Sequence, residues 1–236
     1  MRTQRLLVSH TNSFCGINKI MKQSIPLMGQ FRHSKSQHSD ELNLRLHRAL
    51  SWLEKAENSQ DDIDIQFITL WISFNAIYAK EFAKERTADR ETFNQFIAEI
   101  CRLDKEKSIY QIIWQRFPQN IRVMLDNRYV FQPFWDFQNG TITEKAWRED
   151  FEKANKKAFI ALASQDTYDI LLVIFGRLYT LRNQLVHGGA TYDSQINRSQ
   201  IKDGCQILLA LIPAIIQIIL DNPKNDWGKP FYPVVD

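Results

Sequence analysis

No glycine occurs between Gly29 and Gly140, and nearly every apolar run in that interval repeats with a helical period. Such a stretch, lacking the residue that most readily makes tight turns, points to helices joined by short connections. After Ser39-Asp40, residues Leu42, Leu46, Ala49, Leu50, Leu53 and Ala56 fall on one face of a helix that closes near Asn58. Asp61-Asp62 introduces a second helix, 63–85, apolar on almost every side through its middle and therefore central and buried. A third is expected from Asp89 through Leu103, and a fourth through SIYQIIWQRF until Pro118 ends it. The segment Asn127 to Gly140, rich in aromatics but without a period, reads as an ordered loop packed onto the bundle, or a lid. Thr141 and Glu144 match a capping box for a helix running to about Ala163. Asp166 or Thr167 caps the next helix, which stops at Gly188-Gly189.

The last helix begins near Asn197 and contains ILLALIPAIIQIIL, a run of 14 residues interrupted by Pro213 and Gln217. That is short for a bilayer, so it reads as a core helix or a dimer seam, and no membrane is expected as a partner. Without strand alternation or an internal repeat, the class is all-α, an antiparallel helical bundle with an inserted aromatic-rich loop.

Charge divides the chain. Residues 1–39 hold six Lys or Arg and no Asp or Glu, which leaves 24 basic against 27 acidic residues in the remainder. The folded part is thus not basic, and a broad electrostatic footprint for nucleic acid is unsupported; any such contact would have to be local. The acid-free start has the composition of a transit segment but no sustained amphipathic period, and Met21 or Met28 could serve as the start of translation. Residues 1–38 are read as a disordered or mis-assigned tail, 39–222 as the domain and 223–236 as a C-terminal tail. Cys15, Cys101 and Cys205 are too few and too scattered for a disulfide framework or a zinc site, and a reducing cytoplasm is the expected compartment.

The stretch YTLRNQLVHGG places Arg182, Asn183 and His187 within six residues. On an ideal helix Asn183 and His187 lie about 40° apart and Arg182 about 140° from His187. Arg182 therefore needs its full length, a distorted helix end or a neighbouring subunit to join them. His187 falls in the last turn, where the negative end of the helix dipole favours a cation. A cationic histidine beside an arginine can grip a phosphate and deliver a proton to a leaving oxygen. The same residues are equally suited to satisfying the last carbonyls of a helix. Spacing alone carries little information: Arg5 and His10 repeat it, and Arg32 and His38 nearly do. The asparagine makes the difference, since R-N-x3-H is expected by chance on the order of 0.02 times in such a chain.

RNQLVHGG, closing an apolar helix and followed by a polar loop and a hydrophobic last helix, resembles the R-N-x3-H signature of the HEPN superfamily. LWISFNAIYA is similar to the second helix of its ApeA-like branch. The resemblance spans roughly residues 40–221 and implies an all-α bundle acting as a metal-independent endoribonuclease. Arg182 and His187 would be the catalytic pair, with Asn183 in support. It also implies an RNA substrate, a homodimer through the hexad-bearing helix, a toxin–antitoxin or antiphage setting with an antitoxin or regulatory partner, and no cofactor. The implied chemistry is attack of a 2′-hydroxyl on the adjacent phosphate, giving a cyclic phosphate and a free 5′-hydroxyl. The alternative is a non-catalytic nucleotide- or RNA-binding or dimerisation module.

Three further residues are candidates for binding substrate. Asn75 interrupts an apolar helix and either faces the hexad or bonds a neighbouring backbone. Tyr179, one turn before Asn183, either stacks on a base or packs in the core. Tyr192, in the loop after the glycines, either touches substrate or shapes the turn. Ser73 shares the ambiguity of Asn75. His33, His38 and His47 lack the spacing and companions of metal ligands, and the absence of GxGxxG, P-loop and GxSxG motifs argues against dinucleotide enzymes, P-loop NTPases and serine hydrolases.

Overall fold

The computed structural model describes residues 22–78, 86–230 and 232, and among them the chain is all-helical, without a strand. Helix α1 spans Ser24–Ser34 and α2 Asp40–Glu57. Ser39 caps α2 by accepting the Leu42 N–H at 3.2 Å, and Asp40 and Glu41 occupy the first turn, facing the positive end of the helix dipole. The stripe from Leu42 to Ala56 read from the sequence is buried throughout.

Helix α3, Ile63–Tyr78, runs back antiparallel along α2. Gln66 donates to the Ala56 carbonyl at 3.1 Å and Ser73 to that of Ala49 at 2.8 Å, which sets the register and gives the Ser73 hydroxyl a packing role. The continuation expected from 79 to 85 lies outside the described residues. Helix α4 covers Arg86–Leu103, the single turn α5 Ser108–Gln111, α6 Pro118–Asp126, α7 Gln132–Gln138, α8 Glu144–Ser164, α9 Thr167–Val186 and α10 Arg198–Asp221. The centre is aromatic: Phe74 of α3 stacks on Phe175 of α9 at 4.3 Å and meets Phe93 and Phe96 of α4 at 6.2 and 6.3 Å. Helix α10 closes over them at Gly204, where an added Cβ would stand 2.8 Å from the Phe67 ring and 3.0 Å from Leu178.

Several sequence expectations are corrected. Part of the stretch set aside as an N-terminal tail belongs to the fold. Leu27 and Phe31 of α1 are core residues, and the buried Glu57 carboxylate accepts the backbone N–H groups of Gln23, at 2.7 Å, and Ser24, together with the Ser24 hydroxyl. A carboxylate at a helix N-terminus satisfies donors that have no intrahelical partner, which anchors a helix across more than thirty residues of sequence. Glu57→Ala is expected to destabilise the protein by about 2 kcal/mol, the scale of lost charged hydrogen bonds. The check is a lower urea midpoint at unchanged slope.

Part of the C-terminal stretch is likewise built in. Trp227 is buried, and Arg45, itself 2% exposed, donates to the carbonyls of Ile77, Gly228 and Lys229 at 2.7, 3.2 and 2.7 Å. Pro118 ends one element and starts another: after α5 comes a π-helical turn, Ile112–Arg116, and Pro118 then opens α6 from its first position, where its missing N–H costs nothing. The aromatic stretch expected as a loop is a 3-10 turn, Arg128–Val130, followed by α7. The residue capping α8 is Thr143 rather than Thr141, accepting from Ala146 at 3.2 Å, while Thr141 donates back to the Asp136 carbonyl at 2.6 Å.

At 24 residues α10 is longer than its 14-residue apolar run suggests, and it is the one described helix long and apolar enough to cross a bilayer. Of its apolar window, 72% is buried inside the protein, where it lines the core.

Candidate functional site

The hexad is delivered by the end of α9. Asp166 caps the start of that helix, accepting from Asp169 at 3.0 Å. At the other end His187 is the C-cap, Gly189 donates to the Gln184 carbonyl at 2.7 Å and Gly188 to that of Leu185 at 3.4 Å. Gly188 sits at φ +68°, the left-handed conformation that glycine takes without a Cβ clash, so the glycine pair stops the helix as its sequence predicts.

Arg182 and Asn183 are half-buried and His187 is exposed. The Arg182 guanidinium donates to the Asn183 side-chain oxygen at 3.0 Å, so the arginine's length closes part of the angular gap inherent in its position. His187 lies one turn on, its backbone N–H bonded to the Asn183 carbonyl at 2.9 Å. On the same outer stripe Tyr179 is 51% exposed, its ring 6.1 Å from that of Trp71, and Gly176 and Val186 are exposed as well.

The other candidates part ways. Asn75 is half-buried, and its neighbour Phe74 stacks on Phe175, two turns before Asn183, so α3 carries Asn75 along the helix away from the hexad. Tyr192 is exposed, with its hydroxyl donating to Asp62 at 2.7 Å. That bond raises the Tyr192 hydroxyl above the usual tyrosine range. The Asp62 carboxyl is lowered, first by the Ile65 backbone N–H and then by Tyr192. Its contribution to stability is therefore present above the ordinary aspartate range and lost as pH falls through the lowered value.

Sequence reasoning passed over the residues that order this end of α9. Gln184, inside the hexad, donates to the Tyr129 carbonyl at 2.7 Å and accepts from Asn197 at 2.8 Å. Asp64, 7% exposed, accepts from Arg198 at 2.6 Å and from the Asp193 backbone at 2.9 Å, and Arg198 also pairs with the Asp193 carboxylate. The loop after the hexad is thus tied to the start of α3. Asp64→Ala is expected to speed amide exchange in residues 188–197 by about tenfold or more, since it removes a charged pair and a backbone acceptor. Hydrogen–deuterium exchange by mass spectrometry reads this directly.

One turn and a half before the hexad, Arg177 is 3% exposed. It donates to the Leu125 carbonyl at 3.1 Å and lies over the Phe131 ring at 4.5 Å, with its Nε and Nη1 unpartnered. Burial pushes its guanidinium down to about 10, so it stays charged at neutral pH. An arginine inside the apolar part of the helix, seven residues before Gln184 and so on the same face, is the signal that could have found it.

Burial pushes the Cys101 thiol up to about 11 and raises that of Cys205 further, which leaves neither as a thiolate nucleophile at neutral pH. Among the described residues no three His, Cys, Asp or Glu side chains are grouped as a metal ion would need. Compared with protein-family models, curated proteins and solved structures, the chain matches none of them.

Proposed function

We propose that the chain is a metal-independent endoribonuclease of the HEPN type that works as a homodimer. The observation that carries this reading is the placement of Arg182, Asn183 and His187 together at one accessible helix end, with the arginine already bonded to the asparagine. The outer stripe of exposed Gly176, Tyr179 and Val186, with half-buried Asn183 among them, suits a second copy of α9, bringing two hexads to one cleft. There Arg182 stabilises charge on the pentacoordinate phosphorus. His187 moves the proton, taking it from the attacking 2′-hydroxyl or giving it to the departing 5′-oxygen. The bond from phosphorus to the 2′-oxygen forms as that to the 5′-oxygen breaks. A toxin–antitoxin or antiphage role, with a protein partner holding the activity in check, fits an enzyme of this kind.

A second reading, in which the hexad binds RNA or seals the dimer without cleaving, is favoured by the acidic balance outside residues 1–39, 24 basic against 27 acidic. The deciding experiment incubates the purified chain with RNA in EDTA. Fragments ending in 2′,3′-cyclic phosphate and 5′-hydroxyl, from a particle of twice 27.8 kDa, are expected. Intact RNA bound by that dimer would select the second reading, and a monomer would sink the composite cleft.

A further inference from the structure

Gln184 lies inside the hexad but takes no part in the chemistry proposed for it. On an ideal helix it stands about 60° from His187 and about 160° from Arg182, so it holds α9 from the side opposite the arginine. Both ends of its amide are engaged. The Nε2 donates to the Tyr129 carbonyl at 2.7 Å, and the Oε1 accepts from the Asn197 side chain at 2.8 Å. Its backbone carbonyl accepts from Gly189 at 2.7 Å. One residue thus joins the last turn of α9 to the 3-10 turn Arg128–Val130, to the glycine stop and to Asn197, the N-cap of α10.

The far ends of this tether are themselves held. The Tyr129 N–H donates to the Asn127 side chain at 2.8 Å, and its carbonyl takes a second donor, Trp135 Nε1, at 2.8 Å. Behind it the aromatic segment is seated on α8, Phe131 against Phe151 and Phe134 against Trp147, each pair with ring centres 5.2 Å apart. Asn197 sits at φ +56°, and its carbonyl accepts the N–H of buried Ile201 at 2.9 Å. The hexad end itself is exposed from Val186 to Gly189, and exposed helix ends fray unless something outside the helix holds them. His187 has already left helical geometry, at φ −92° and ψ 12°, so its direction depends on what fixes its neighbours.

We infer that Gln184 is a positioning residue for the proposed cleavage: its amide fastens the hexad to the aromatic segment and so fixes the bearing of His187 relative to Arg182. The role rests on the ribonuclease reading above. Position matters at this scale, since a misplacement of about 1 Å can cost on the order of 100-fold in rate. The demand at this position is for a donor, because the Tyr129 carbonyl can only accept. Gln184→Glu keeps the length and the acceptor for Asn197, but sets a carboxylate against a carbonyl until a proton makes it a donor again.

The test compares Gln184→Glu with wild type in steady-state cleavage of a short RNA at about pH 4 and about pH 8, either side of the ordinary glutamate range. Amide exchange and particle mass are measured alongside. At the higher pH, kcat is expected to fall about 10-fold or more at unchanged KM, in a dimer of unchanged mass. Amides of 128–138 and 187–197 should exchange about 10-fold faster. In acid the ratio of mutant to wild-type kcat is expected to return to within about threefold of one, which a general loss of stability would not produce. The ratio cancels the titration of His187 itself. Gln184→Met, which keeps the length and loses both bonds, should stay slow at both pH values. Wild-type kcat or unchanged exchange in Gln184→Glu at the higher pH, or a loss that acid does not reverse, overturns the role. The two readings fail separately: a wild-type chain that cleaves nothing ends the nuclease reading and this role with it, whereas a cleaving wild type beside an unimpaired Gln184→Glu ends this role alone.

Discussion

If the proposed nuclease reading is right, purified protein carrying His187→Ala is expected to cleave RNA about 100- to 1000-fold more slowly than wild type, with the loss in kcat rather than KM, because a proton donor or acceptor would act in the transition state. Arg182→Ala is expected to lose a similar factor, about 100- to 1000-fold, as the group proposed to oppose charge on phosphorus. Arg182→Lys is not expected to restore it, since an ammonium cannot both hold Asn183 and face a phosphate as a planar fork does. Arg32→Ala is the matched control. That arginine nearly repeats the spacing to a histidine, but His38 is 9% exposed with its ring 6.2 Å from Phe31, and the rate should not move. Mixing the Arg182→Ala and His187→Ala chains tests the composite cleft. If arginine and histidine meet across the dimer, each mixed dimer holds one intact site and activity returns; if they act within one chain, both sites stay dead. Unchanged cleavage by His187→Ala would end the nuclease reading.

Phe74→Ala is expected to cost about 3–5 kcal/mol, measured by denaturant unfolding. Phe74 is 1% exposed and touches rings from three helices: Trp71 and Tyr78 on α3, Phe93 and Phe96 on α4, and Phe175 on α9. Alanine would leave a cavity that rigid rings cannot collapse into, and such a loss is a large share of the roughly 5–15 kcal/mol that holds a domain together. It would also loosen the seat of α9, so hexad amides should exchange faster although no hexad residue is touched. A cost below about 1 kcal/mol would mean that this ring cluster is not the centre of the core.

Much of this was legible residue by residue. The stripe of α2, the burial of α3, the Asp166 cap and the glycine stop after His187 are all written within a few positions of where they act. The placement of Arg182, Asn183 and His187 at one helix end was legible in the same degree, since local spacing reaches that far. Where the reading of the chain failed, the missing partner was distant. Residues 24–34 looked like tail because they carry no strong period, yet Glu57 caps them. Asn75 looked like a member of the site because it is polar in an apolar helix, but the register of α3 against α9 sends it elsewhere.

The sequence by itself determined the helical class, several helix ends and the hexad, because hydrogen bonds within a helix and its local caps join residues at most a few positions apart. Only the tertiary structure decided what surrounds the hexad. Gln184 meets Tyr129 across 55 positions and Arg198 meets Asp64 across 134, pairings set by how helices pack and not by any pattern in the intervening chain.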